Sequence, residues 1–332
     1  MNITIGGYYG FGNLGDEETL RLLISQIKKE YPLSQITVLS SNTYKNAKSI
    51  NRNSLKEIKK ALSESEIFIL GGGSLIQDST SVRSLFYYCE LIRLAHRSGC
   101  KVMLMGGGIG PLKHRRYAAE ALRLCSYISV RDEYSKSILD EMNIPSALTA
   151  DRILSLEGDT YSGRGRYFTV NLRKCAGRRS INAEALGDGL YPFISEGYTP
   201  IYVSMQDSFD RDTANEAVCL TGGRVITPKS IDELISLQKG AKFAVGMRLH
   251  FLISAALAGC PALALSYDPK CDCLALPSLD PYRLVPHELT DAIKNLVPVT
   301  LSTNRAKFCL SDILEIGKFC GDAVEKGRRC LK

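Results

Sequence analysis

Residues 243–270, Phe243-AVGMRLHFLISAALAGCPALALSYDP-Lys270, hold two kinds of apolar pattern in one short span. Ala241–Val245 and Ala262–Leu265 are brief apolar runs of strand type. Between them Leu249, Leu252, Ile253, Ala256 and Leu257 recur at helical spacing and form a buried stripe. Strand, helix and strand in immediate succession predict parallel pairing, with the helix lying on the sheet. Arg248 and His250 stand at the opening of that helix. Unpaired N–H groups there already favour negative charge, so a cation is poorly placed without an anion. The conflict predicts a bound phosphate or carboxylate. Gly246 precedes the helix, and Ser266, Tyr267, Asp268 and Lys270 follow the second strand, so Arg248, His250 and Lys270 are expected to converge.

The same rhythm runs outward through the chain. Before it, strands are predicted at Asn2–Gly6, Ile36–Ser40, Ile67–Leu70, Lys101–Met105 and Tyr127–Val130, then at Tyr167–Leu172, Pro200–Ser204 and Arg224–Ile226. Helical periodicity fills the intervals, and helices at Thr290–Leu296 and Asn304–Phe319 follow. The stretch Glu157-GDTYSGRG-Arg166 breaks the pattern with three glycines and no apolar cluster. A chain of 332 residues exceeds the size at which one core keeps growing. The expectation is therefore α/β, with two Rossmann-like domains facing a cleft. Residues 1–156 form the first, 157–302 the second, and 303–332 a C-terminal helical segment. Ligands of such sheets bind beyond the carboxyl ends of the strands.

Composition narrows the classes. The net charge of +7 is spread along the chain, with short clusters at Lys113–Arg116 and Arg164–Arg166 and no basic stripe interleaved with aromatics, so nucleic acid is not an expected partner. Mild positive charge suits an anionic small substrate and is compatible with peripheral contact with a membrane surface. The 11 cysteines are scattered, several in apolar runs, and Cys271-Asp-Cys273 has no zinc-ligand spacing. MNITIGGYYG does not read as a signal peptide, and no apolar run approaches 18 residues. The expectation is a reduced, cytosolic protein without metal or cofactor.

Three glycine-rich turns end strands of the first half: Gly6-GYYGFGNLGDE-Glu18, Gly71-GG-Ser74 and Gly106-GGIG-Pro111. Gly10, Gly12 and Gly15 satisfy G-x-G-x-x-G, but the second strand ends Val38-LSS-Asn42 without the carboxylate a dinucleotide ribose needs. The turns fit a ligand-lining surface better. On it Asn13, Asp16, Glu17, Ser74, Gln77 and Asp78 are candidates for holding hydroxyls, beside a simpler reading in which Asp16 caps a helix. Arg131 ends the fifth strand, where it either points at the cleft or pairs with Asp132 or Glu133. His96, His114 and His287 lack such company and read as surface or capping residues.

The segments GYYGFGNLGDE, LGGGSLIQD at 70–78, GGGIGP at 106–111, SVRDEYS at 129–135 and GMRLH…SYDPK at 246–270 together resemble the polysaccharide pyruvyl transferases. The likeness is to the bacterial branch that modifies cell-wall polysaccharide precursors for S-layer anchoring. It implies a GT-B-like fold in which segment 303–332 crosses back to the first domain, phosphoenolpyruvate as donor, and a 4,6-linked pyruvate ketal formed on an N-acetylmannosamine residue of a lipid-linked precursor. It further implies that Arg131 and Arg248 grip the donor, that His250 is the acid/base and that Lys270 is a further cation near the donor, at the inner face of the membrane. Gly246 and Ser266 would add donor contacts. Thr149-ADRI-Leu154 departs from the family's ADPAF-like stretch, with Arg152 in place of a proline.

Two other readings use the same architecture. A glycosyltransferase taking a nucleotide-sugar would want a ribose-gripping carboxylate in the second half, where Glu184 and Glu233 are available. A glycan-binding protein without catalysis has no need of a histidine among donor-gripping cations.

Overall fold

A computed structural model describes residues 1–158, 160–174, 181–267, 274, 276–301 and 305–319, with backbone only for 305–310. The chain separates into two units: Met1–Phe11, Asp16–Ser155 and Thr303–Lys332 form one, and Gly12–Gly15 with Leu156–Ser302 the other.

The first unit runs β1 (Asn2–Gly6), α1 (Leu14–Glu30), β2 (Gln35–Leu39), β3 (Lys48–Ile50), α2 (Leu55–Ser63), β4 (Ile67–Gly71), α3 (Val82–Arg97), β5 (Lys101–Gly107), α4 (Arg115–Leu122), β6 (Tyr127–Val130), α5 (Glu133–Glu141) and β7 (Ala147–Leu148). Its strands pair in the order β3-β2-β1-β4-β5-β6-β7, all parallel. Both faces are covered, so alternate residues serve opposite cores. Ile67, Ile69, Met103 and Met105 pack with α1, whereas Phe68, Leu70, Val102 and Leu104 pack with α3. That is why these strands read as unbroken apolar runs.

The second unit repeats the plan with β8 (Tyr167–Asn171), α6 (Ala183–Ser195), β9 (Thr199–Val203), α7 (Asp207–Thr221), β10 (Arg224–Ile226), α8 (Ile231–Gly240), β11 (Ala244–Gly246), α9 (Leu249–Leu257), β12 (Ala262–Leu265), β13 (Ser278–Leu279) and α10 (Pro286–Lys294). Its order, β10-β9-β8-β11-β12-β13, is again all parallel. The order in which strands are added reverses at β1 and β4 in one unit and at β8 and β11 in the other. β3, β7 and β13, absent from the sequence reading, are edge strands of two or three residues, too short to show a period. Burial pushes the thiols of Cys89 and Cys260 up to about 12, so neither is a nucleophile at neutral pH.

α11 (Arg305–Lys318) belongs to the first unit. Ile313 and Ile316 join the core around α1, and the Asp312 carboxylate is fully buried. Tyr127 and Ser129 hydroxyls donate to it at 2.8 Å each, and Arg152 Nη2 lies 3.6 Å away. Arg152 is therefore the buried cation for the C-terminal helix, and Gln26 holds its other nitrogen. A proline at this position has no charge to offer, which accounts for the departure noted in the sequence.

Burial raises the Asp312 pKa, with Arg152 opposing. A raised carboxylate binds more protons folded than unfolded, so stability falls as pH rises from the ordinary value through the folded one. Arg152→Ala should cost about 3–5 kcal/mol at neutral pH, because it strands a buried charge. The penalty should shrink at mildly acidic pH, as the carboxyl protonates. Denaturant unfolding of both proteins at the two pH values checks this.

Candidate functional site

In the first unit the candidate residues gather where the loops after β1 and β4 diverge. Asp16 is buried in the first turn of α1, and its Oδ1 lies 2.9 Å from where a Cβ on Gly73 would sit. Gly73 has φ +68°, so both its space and its backbone demand glycine. Ser74 and Gln77 are partly exposed in the same loop. Gln77 Oε1 accepts from the Ser79 hydroxyl and the Thr80 N–H at 2.7 and 3.1 Å, closing a turn.

Other sequence-predicted acceptor residues are spent on the protein itself. Glu17 accepts from the Gly10 N–H at 2.7 Å and from Tyr44 at 2.8 Å, folding the glycine loop back on its helix. Asn13 Oδ1 accepts the Gly15 N–H at 3.2 Å, capping α1. Asp78 is turned inward with its side chain 1% exposed. It accepts N–H bonds from Lys113 (2.9 and 3.0 Å) and His114 (2.8 Å) and lies 2.8 Å from the His114 ring. Burial would raise its pKa, but these bonds outweigh burial and hold it below the ordinary value. Asp78 fastens the turn before α4, a use the sequence reading did not foresee.

Arg131 also lies in the first unit, its side chain 3% exposed. Nη1 donates to Asp151 at 2.7 Å, Nη2 to Ser74 at 3.2 Å, and Nε is 3.9 Å from Asp132. Asp132 also caps α5 through the Ser135 N–H at 2.7 Å. Two carboxylates thus answer the Arg131 charge, and the guanidinium positions Ser74.

In the second unit the expectation of an anion at the α9 opening is met by the protein. The Arg248 guanidinium forks onto Asp210, Nε at 2.8 and 3.0 Å and Nη2 at 2.6 Å. Asp210 is fully buried and also accepts the N–H groups of Met205 and Gln206 at 2.9 and 3.2 Å. The Arg248 N–H donates to Asn171 at 3.0 Å, tying the helix start to the end of β8. The fork uses Nε and Nη2, so Nη1 stands outside it. His250 follows, buried in the first turn of α9. Gly246 ends β11, while Ser266 is partly exposed just past β12. Lys270 and Asp268 lie outside the described residues, as does Cys271-Asp-Cys273.

Gly12–Gly15 group with this unit. The Leu14 N–H donates to the Met205 carbonyl at 2.9 Å. A Cβ on Gly15 would lie 1.8 Å from Nδ1 of His250. The glycine is therefore required by the imidazole.

Arg173, which the sequence reading passed over, stands just beyond β8 and is half-buried. Its Nη1 donates to the Tyr267 hydroxyl at 3.0 Å, and its guanidinium lies 5.5 Å from the Phe209 ring centroid and 5.9 Å from that of Tyr267. The signal was available: an arginine at the end of a parallel strand, the criterion that singled out Arg131. Asp210 could have been found as a first-turn carboxylate after β9. Among the described residues no group of three metal-ligating side chains occurs.

A family model for polysaccharide pyruvyl transferases matches residues 13–269. The chain belongs to that family. No curated protein matches it significantly. The fold of this family member is that of GT-B sugar enzymes. UDP-GlcNAc 2-epimerase from Methanocaldococcus jannaschii, solved with UDP-GlcNAc and UDP, superimposes with TM-score 0.62 at 14% identity, covering 96% of this chain and 100% of that one. The Neisseria meningitidis enzyme bound to UDP-GlcNAc gives 0.62 at 10% identity, covering 96% and 99%. The wall teichoic acid polymerase TagF gives 0.55 at 10%, covering 100% and 89%. At such identities the likeness concerns the fold alone.

Two outcomes are expected from this pyruvyl transferase family member. Arg248→Ala leaves Asp210 buried without its cation and should destabilise the protein by about 3–5 kcal/mol, seen in chemical denaturation. Gly15→Ala should shift the His250 ring, read as a displaced imidazole resonance in NMR. An unchanged resonance would show that the loop yields instead.

Proposed function

We propose that this protein transfers the pyruvyl group of phosphoenolpyruvate to two hydroxyls of a sugar, releasing phosphate. The observation that carries this reading beyond family membership is the C-terminal edge of the second unit. There the Asp210-anchored Arg248 and the aromatic-held Arg173 flank the start of α9, with His250 in its first turn. Phosphoenolpyruvate brings a carboxylate and a phosphate, for which forked guanidinium groups are well matched. Arg248 through Nη1, Arg173, the Ser266 hydroxyl and the N–H groups after Gly246 are assigned to the donor, and Lys270 is retained as a further cation. N–H groups at a helix start suit a phosphate.

The reaction needs one proton delivered to C3, making C2 electrophilic. A sugar oxygen bonds to C2, the C2–O bond to phosphate breaks, and the second hydroxyl closes the ketal. Of the two hydroxyl protons lost, one balances the new methyl and the other leaves with phosphate. His250 is assigned both transfers, since imidazole gives and takes protons near neutral pH. Cations stabilise the departing phosphate. The acceptor is assigned to the first unit, with Asp16, Ser74 and Gln77 on its hydroxyls and Arg131 as a positioning residue for Ser74. Asn13, Glu17 and Asp78 shape these loops.

The finer reading is an N-acetylmannosamine acceptor in a lipid-linked cell-wall precursor, pyruvylated as a 4,6-ketal at the cytoplasmic membrane face. The family resemblance supports it. The nucleotide-sugar alternative finds less support. Glu233 accepts the Lys229 N–H at 2.8 Å and is spent on the start of α8, while Glu184 is exposed at the start of α6.

Thermal shift separates these readings: phosphoenolpyruvate should stabilise the protein and UDP-sugars should not. Stabilisation by UDP-sugars alone would overturn the proposal. His250→Ala should keep donor affinity and lower phosphate release by roughly 10²-fold or more. Arg173→Ala should instead raise KM for the donor about tenfold or more, the loss of one charged hydrogen-bonding group.

A further inference from the structure

The basic cluster Lys113–Arg116 has no part in this chemistry, yet the first unit builds a defined surface around it. We propose that the joined starts of α3 and α4 form a docking face for anionic lipid headgroups of a bilayer, an inference resting on the lipid-linked reading of the acceptor. Val82 and Phe86, in the first turns of α3, are 37% and 38% exposed. The Phe86 ring packs edge-on against Tyr117 at 4.6 Å and lies 6.0 Å from the His114 ring, so residues of both helix starts share one face.

Around this apolar centre stand Arg83, Lys113, Arg115 and Arg116, all exposed. Arg115 pairs with Glu141 and Arg116 with Glu120, whereas Arg83 and Lys113 have no ion pair among the described residues. Four basic groups against these two carboxylates leave the rim positive by two. Farther along α3, Glu90 lies among Arg93 and Arg97 and adds no net negative charge.

The face is rigidly presented. Buried Asp78 clamps the Lys113 and His114 N–H groups, and the Asp78 N–H donates in turn to the Pro111 carbonyl at 3.2 Å. Both helix starts add their own positive ends. Exposed apolar side chains within a ring of cations match a bilayer interface, where acyl chains lie beneath anionic headgroups. Bound to a nucleic acid, Val82 and Phe86 would instead face phosphates. The segment leading into α3 also carries Ser74 and Gln77, so the face lies on the same sheet edge as the acceptor candidates. A sugar tethered to a lipid would be delivered from this side.

The test is flotation of the full chain with vesicles of equal parts phosphatidylglycerol and phosphatidylcholine, and with phosphatidylcholine alone. The wild type should float with the anionic vesicles only, and less so at high salt. Lys113→Glu/Arg116→Glu should lower that partitioning at least ~10-fold. Phe86→Ser should lower it too, and neither variant should lose phosphate release with a soluble aryl-glycoside acceptor. The proposal is overturned by equal binding to neutral vesicles, by no binding at all, or by binding that is abolished only when a second basic run, Lys326, Arg328 and Arg329, is changed to glutamine. Vesicle-free self-association abolished by Phe86→Ser would likewise assign the face to a second copy. Failure of vesicle binding with transfer intact sinks this face alone. Transfer absent with vesicle binding intact sinks the catalytic reading instead.

Discussion

A guanidinium buried at the opening of an apolar helix is tolerable only beside an anion, and Asp210 is that anion in the second unit. Its Oδ2 also accepts the N–H groups of Met205 and Gln206, so one carboxylate orders the starts of both α7 and α9. Asn171 adds the end of β8 through the Arg248 N–H. His250 stands two residues beyond this junction, and its ring in turn dictates that residue 15 be glycine. The pair is also nearly neutral. The proposed trianionic donor would need a further positive source, and Arg173, held by a hydroxyl and two aromatic faces, is placed to be one.

The two units share a strand order but set different side chains beyond their central strands. Around β1 and β4 the first unit offers glycine turns, a buried aspartate and neutral hydrogen-bonding groups, while Arg131 is matched by two carboxylates. Such a surface suits an uncharged ligand with several hydroxyls. The second unit offers guanidinium groups and a helix start, which suit an anion. The proposed transfer of an acidic donor's pyruvyl group to a neutral polyol would draw on both.

Much of the fold was legible because central parallel strands are buried on both faces: Ile67–Leu70 and Ala262–Leu265 are apolar throughout. Lys48–Ile50, Ala147–Leu148 and Ser278–Leu279 were not, since an edge strand of two or three residues is made by its neighbour's hydrogen bonds more than by its own composition. For the site, sequence reveals which side chains stand at strand ends but not whether their capacity is already used. Asn13, Glu17 and Asp78 were legible as polar residues near the edge, yet each closes a local turn. Arg248 was legible as a cation needing an anion, while the anion lay 38 residues earlier, where no spacing rule connects them. Arg152 posed the same problem in reverse, its partner Asp312 arriving only when α11 docks on the first unit.

The most direct test of the account is the product itself. Protein incubated with phosphoenolpyruvate and a panel of lipid-linked or aryl-glycoside disaccharides in heavy water should yield a cyclic pyruvyl ketal by mass and NMR. Phosphate should appear in equal amount, and the new methyl should carry one solvent deuterium. A product bearing a phosphate or a transferred sugar, or phosphate released with no ketal on any acceptor, would contradict it.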